Sequence, residues 1–272
     1  MEGSALEAIL RRDRIIIIAA LAIITALCWL DLVWLANDMW MGGMDMTGYR
    51  MIPAGQGLMM PASAPWQPIE FGYVFAMWVV MMIGMMTPSA APAILIYARI
   101  ARQAVAQGRP FASTAWFAGG YLLAWIAFSF AATAAQWALQ REALLTPMMV
   151  ATSSMLGGVV LILAGLYQWT PLKGACLSNC QSPFTFIVSH GGFRGDTAGS
   201  LRLGWRHGLY CVGCCWALML LLFVLGVMSL FWIAALAILV LLEKVIPPGR
   251  IAARIAGLGF IAAGGWMLIH SG

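Results

Sequence analysis

Charge is scarce in this chain. Of its 272 residues 9% are charged and 62% are hydrophobic, which leaves too little polar surface for a water-soluble globule. Histidine is also sparse, at three residues, so haem ligation by paired imidazoles has little to draw on. The phosphate-binding glycine loop, the dinucleotide fingerprint, the zinc-protease helix and the nucleophile elbow are all missing. ATP-driven pumping by this chain alone is therefore not expected, and an enzymatic role is not favoured. No internal repeat stands out, which removes the sequence argument for an inverted-repeat transporter.

The chain instead holds long apolar runs, at about 15–36, 71–97, 113–138, 148–169, 207–228, 230–246 and 251–269. A run of about 18 apolar residues is enough to propose a membrane-spanning helix. These runs are continuously apolar rather than alternating, which favours helices over a β-barrel. The expected fold is an all-α, polytopic transmembrane helical bundle of about seven spans, forming one integral membrane domain over residues 1–272. The sixth run is short, and the fifth and sixth are expected to meet in a tight hairpin around Ser229.

Basic residues orient this map. With the N-terminus cytoplasmic, Arg11, Arg12, Arg14, Arg99, Arg102, Arg109, Lys173, Arg194, Arg202, Arg206, Lys244, Arg250 and Arg254 fall on the inner side, and Arg50 and Arg141 on the outer side. That asymmetry is the positive-inside pattern. It also accounts for the net charge of +5, so a nucleic-acid partner is not required. The expected location is the inner (cytoplasmic) membrane, with the bilayer as surroundings. The run after Arg14 is longer than a secretory core and lacks a small-x-small cleavage site, so it is read as an uncleaved first helix.

Chemistry concentrates in His207-Gly-Leu-Tyr-Cys211-Val-Gly-Cys214-Cys215. A helix turns about 100° per residue, so His207, Cys211, Cys214 and Cys215 share one face. Imidazole and thiolate are ligands for copper, zinc and related metals. Cys176 and Cys180 lie in a segment, about 170–206, expected to be a cytoplasmic loop. At i,i+4 they share a face only if that segment is helical. Their other reading is packing, since cysteine is small and fairly apolar; Cys28, alone in the first run, is read that way.

Methionine supplies a second set of soft donors. Met77, Met81, Met82, Met85 and Met86 stripe the second run over about half its circumference, so some are expected to face lipid. Pro88 and Pro92 are expected to kink that helix or open its last turns. The loop at about 37–69, placed outside, carries Met39, Met41, Met44, Met46, Met51, Met59 and Met60. Glu243 sits within the sixth run, where a carboxylate marks either a function or a buried partner. Its neighbour Lys244 offers a plainer reading, a side chain reaching the headgroups. His190 is expected to be solvated.

Three segments form a recognisable combination: Trp78-x-x-Met81-x-x-Gly84-Met85-Met86-x-Pro88; Thr170-Pro-Leu-Lys173-x-x-Cys176-x-x-x-Cys180-x-Ser182-Pro183; and His207-Gly-x-x-Cys211-x-Gly213-Cys214-Cys215-Trp216, followed by Glu243-Lys244. Together they resemble the domain-of-unknown-function 2182 family, described as predicted metal-binding integral membrane proteins. The residues and the resemblance lead to one expectation: a membrane protein binding a soft transition metal, copper first and zinc second. Translocation of the ion or its delivery to a protein partner or metallochaperone would follow. His207, Cys211, Cys214 and Cys215 are the candidate core ligands, and Cys176 and Cys180 the gate or exit ligands. Met81, Met85 and Met86 are a candidate relay, and Glu243 an accessory ligand. A membrane thiol-disulfide redox protein and a non-catalytic subunit of a larger complex are the other classes that fit.

Overall fold

The computed structural model describes residues 2–39, 48–55, 58–108, 112–146, 149–192, 195–246 and 249–270, with side chains from Arg14 onward. The elements run α1 (Glu2–Met39), β1 (Tyr49–Met51), β2 (Met59–Pro61), α2 (Pro68–Ala106), α3 (Thr114–Arg141), α4 (Ser154–Tyr167), α5 (Pro171–Gln181), α6 (Pro183–Ser189), α7 (Thr197–Leu220), α8 (Leu222–Leu225), α9 (Leu230–Val245) and α10 (Gly249–Ile269). Apart from one antiparallel hairpin pairing Arg50 with Met60, the described fold is helical. Each of the seven expected runs contains helix, although the 148–169 run is helical only over Ser154–Tyr167 and the 207–228 run only to Leu225.

Five helical stretches are long and apolar enough to cross a membrane: Arg14–Met39, Pro68–Ala106, Thr114–Arg141, Thr197–Leu225 and Gly249–Ile269. A sixth forms if α4 and α5 count as one span bent by 63°. The 16 residues of α9 extend only about 24 Å at 1.5 Å per residue, short of a hydrocarbon core about 30 Å thick. The bend has a local cause. Pro171 cannot continue α4 and instead occupies the first turn of α5. The Thr170 hydroxyl caps that turn by accepting from the Lys173 amide at 3.2 Å.

The helices differ sharply in burial. The apolar window of α1 is 6% buried and that of α7 is 61% buried, so α1 is peripheral and α7 central. In lipid, helix association depends on close packing rather than on a hydrophobic drive. The contact of α3 with α7 shows how close: a Cβ placed on Gly120 would lie 2.1 Å from the Leu201 carbonyl, and one on Gly204 would lie 2.0 Å from that of Phe117. Buried polar links tie further pairs together. The Trp78 indole donates to Gln136 Oε1 at 2.7 Å, joining α2 to α3. Tyr97 and Ser200 share a 2.6 Å hydrogen bond between α2 and α7.

Several expectations change in three dimensions. The segment expected to be a cytoplasmic loop is largely helical: α5 and α6 pack with α7, α9 and α2, and α7 begins at Thr197, ten residues before His207. Lys173, placed on the surface by its charge, is 1% exposed. Met77, Met81, Met82, Met85 and Met86 are all buried, so none of the stripe faces lipid; α1 covers the flank at Gly84. Pro88 and Pro92 lie inside a helix that remains continuous to Ala106. Arg50, read as an outer surface charge, is buried in a bidentate pair with Glu70 at 2.5 and 2.8 Å, and its remaining amino group donates to the carbonyls of Pro61, Ala62 and Ala64. Met41, Met44 and Met46 of the methionine-rich segment lie outside the described residues, as do Arg109 and Arg194; Met39 and Met51 are buried and Met59 is exposed.

Candidate metal centre

Helix α7 carries the cysteines because its sequence keeps small or apolar residues on the face toward α3 and α5. Asp196 starts the helix, its carboxylate accepting from the Gly199 amide at 2.7 Å. Three turns later His207, Cys211, Cys214 and Cys215 are all buried. The Cys214 and Cys215 thiols each turn back to the Cys211 carbonyl, at 3.1 and 2.9 Å. Across the interface, α5 packs against α7 and carries the half-buried Cys180. Cys176, one turn earlier, sets its sulfur against Gly213, where a Cβ would stand 2.9 Å away. The helical form of α5 therefore brings both of its cysteines to α7.

Other helices close the cluster around Cys211. Lys244 Nζ, from α9, donates to Cys211 Sγ at 2.8 Å and to Ser89 Oγ of α2 at 3.1 Å. The Tyr121 hydroxyl, from α3, lies 3.1 Å from Cys211 Sγ and 3.2 Å from the Met86 carbonyl. Lys244 is 7% exposed, so it turns inward and does not reach for the headgroups. Glu243 points to a different partner: its Oε2 accepts from Lys173 Nζ at 2.7 Å, and Lys173 also donates to Gln168 Oε1. Glu243 Oε1 has no hydrogen-bond partner among the described residues.

His207 sits one turn before Cys211 among aromatic rings, with centroids 5.1 Å from Phe186 and 5.9 Å from both Phe117 and Tyr121. Its Nδ1 is buried and has no hydrogen-bond partner among the described residues. His190, expected in solvent, is half-buried; its ring stacks on Phe186 and its Nε2 lies 3.3 Å from the Tyr210 hydroxyl.

The structure thus packs the helix that carries Cys176 and Cys180 against the helix that carries Cys211, Cys214 and Cys215, with His207 one turn before Cys211. Met86 meets the Tyr121 hydroxyl through its backbone carbonyl, Met81 and Met85 are buried along α2, and Glu243 is engaged by Lys173. Among the described residues, no group of three or more His, Cys, Asp or Glu side chains is positioned to hold a metal ion. Sequence reasoning missed Tyr121 and Ser89, which carry no signal of their own. It noted Lys173 and Lys244 and read them as surface charges, although a lysine inside an apolar run already points to a buried partner.

This is the arrangement of a helical membrane protein that keeps soft sulfur donors out of water. Residues 75–267 match the PpoB2 family, described as a copper chaperone, and the chain belongs to that family. The metal-related class implied by the sequence resemblance is thereby shown, without support for the domain-of-unknown-function name. No curated protein and no solved structure matches the chain.

Proposed function

We propose that the chain is an integral protein of the inner membrane that takes copper(I) onto the thiols of Cys180 and Cys211, with Cys214 as a neighbouring exchange ligand, and hands it to a protein partner. The observation carrying this reading is the packing of α5 on α7, where the Cys176 sulfur sits against Gly213 of the cysteine-bearing helix. Thiolates suit copper(I). The copper-chaperone family favours delivery over channel-like translocation as the outcome. Cys176 and Cys215 flank the same layer as exchange ligands, with His207 as an accessory donor after rotation of its ring. Met86, next to Tyr121, ends a buried thioether relay that includes Met81 and Met85. Glu243 acts through Lys173 in this reading and not as a direct ligand. Zinc is the second candidate cargo.

The test is metal content by mass spectrometry on protein purified without oxygen. Wild type is compared with a variant carrying Ser at Cys180, Cys211 and Cys214. Near-stoichiometric copper in the wild type and its loss in the variant are expected. Wild type that stays metal-free after supply of copper under reducing conditions would overturn the proposal, and zinc in its place would change the cargo.

A further inference from the structure

Resting on the copper reading, a second question concerns how the buried site balances its charge. Three charged side chains meet at this level. Lys173 pairs with Glu243 at 2.7 Å, so their charges compensate. Lys244 is left over: its ammonium contacts Ser89 Oγ and Cys211 Sγ, of which only the sulfur can carry negative charge. An uncompensated charge in such surroundings is costly. We propose that Lys244 is a specificity-determining residue, a fixed counter-charge that selects a metal–thiolate unit of net charge minus one.

Copper(I) held by two thiols meets this requirement. Two S–H bonds break, two Cu–S bonds form, two protons leave to solvent, and the copper stays monovalent throughout. The resulting unit carries one negative charge, which Lys244 cancels. Zinc(II) on the same two thiolates is neutral and leaves the ammonium unbalanced. A third thiolate would bring zinc to minus one but copper to minus two, so sulfur number and metal identity are linked. Cys211 is one of the pair because Lys244 already touches it, and Cys180 is the other because its helix α5 packs against α7. Loading then requires Lys244 Nζ to shift from Cys211 Sγ while remaining beside the complex, with Ser89 Oγ as its second anchor.

Copper(I) and zinc(II) affinities are measured by chelator competition on detergent-purified wild type, Lys244→Met and Lys244→Arg. The sulfur number in the copper-loaded wild type is read by X-ray absorption. Lys244→Met is expected to lose about tenfold or more in copper(I) affinity, with zinc affinity not reduced, while Lys244→Arg retains copper binding. Two sulfurs at copper are expected. Copper affinity in Lys244→Met within about twofold of wild type would overturn the role of Lys244 alone. Should Lys244→Met show no thermal transition, the absorption spectrum decides: three or four sulfurs would overturn the proposal. Wild type that binds no copper would overturn the copper reading itself.

Discussion

At the scale of single residues, the interior of this protein is organised by charges that have no access to water. Lys173 and Glu243 are both nearly inaccessible, and each is the other's compensation. Removing one strands the other, which costs about 3–5 kcal/mol, whereas replacing both by apolar residues of similar volume is often neutral. Lys173→Met is therefore expected to lower the thermal midpoint strongly, and Lys173→Met with Glu243→Leu to recover most of it. A double variant no more stable than the single one would show that the pair acts through something besides charge compensation. The Arg50–Glu70 pair follows the same logic at the other end of α2. There the guanidinium also holds three backbone carbonyls, geometry that a lysine cannot reproduce. Arg50→Lys is expected to loosen the hairpin, read as faster proteolysis at residues 48–62, with the copper affinity of the distant thiol layer unchanged.

At the scale of elements, two features place the thiols. The Thr170–Pro171 break bends the chain by 63° so that α5 lies against α7, and the glycines between α3 and α7 let those helices approach. Gly204→Ala would force its new methyl into the Phe117 carbonyl. A clash of that kind costs about 1–3 kcal/mol and would move Tyr121 relative to Cys211. Loss of thermal stability together with weaker metal retention is expected. Gly259→Ala, where a Cβ meets nothing within 4 Å, is the control and is expected to behave as wild type. The helical segments themselves were legible from the apolar runs, since hydropathy needs no partner. The helical state of residues 171–189 was not, because its polar composition matches a loop and only packing against α7 makes a short helix worthwhile.

At the scale of the whole molecule, the peripheral α1 and the central α7 describe a bundle whose least exposed helix carries its chemistry. The orientation in the bilayer expected from the basic residues can be tested directly. A cysteine introduced at Ser63 in a variant lacking the native thiols is expected to react with an impermeant reagent in intact cells. One at Gly108 should react only after the membrane is opened. The reverse pattern would invert the topology and with it the direction of copper delivery.

The amino-acid sequence alone determined the helical membrane class, the apolar segments and the soft-donor character of the cysteine helix, because composition and helical periodicity are local properties. It also pointed to copper-type chemistry through residue type. Tertiary structure alone decided which donors meet. The bend at Pro171 lays α5, with Cys176 and Cys180, against α7, Tyr121 arrives by glycine-mediated contact, and Lys244 turns inward to a sulfur rather than outward to headgroups. Charge compensation between side chains far apart in the chain is a property of the assembled interior, where low polarity makes every unpaired charge expensive, and no local pattern records it.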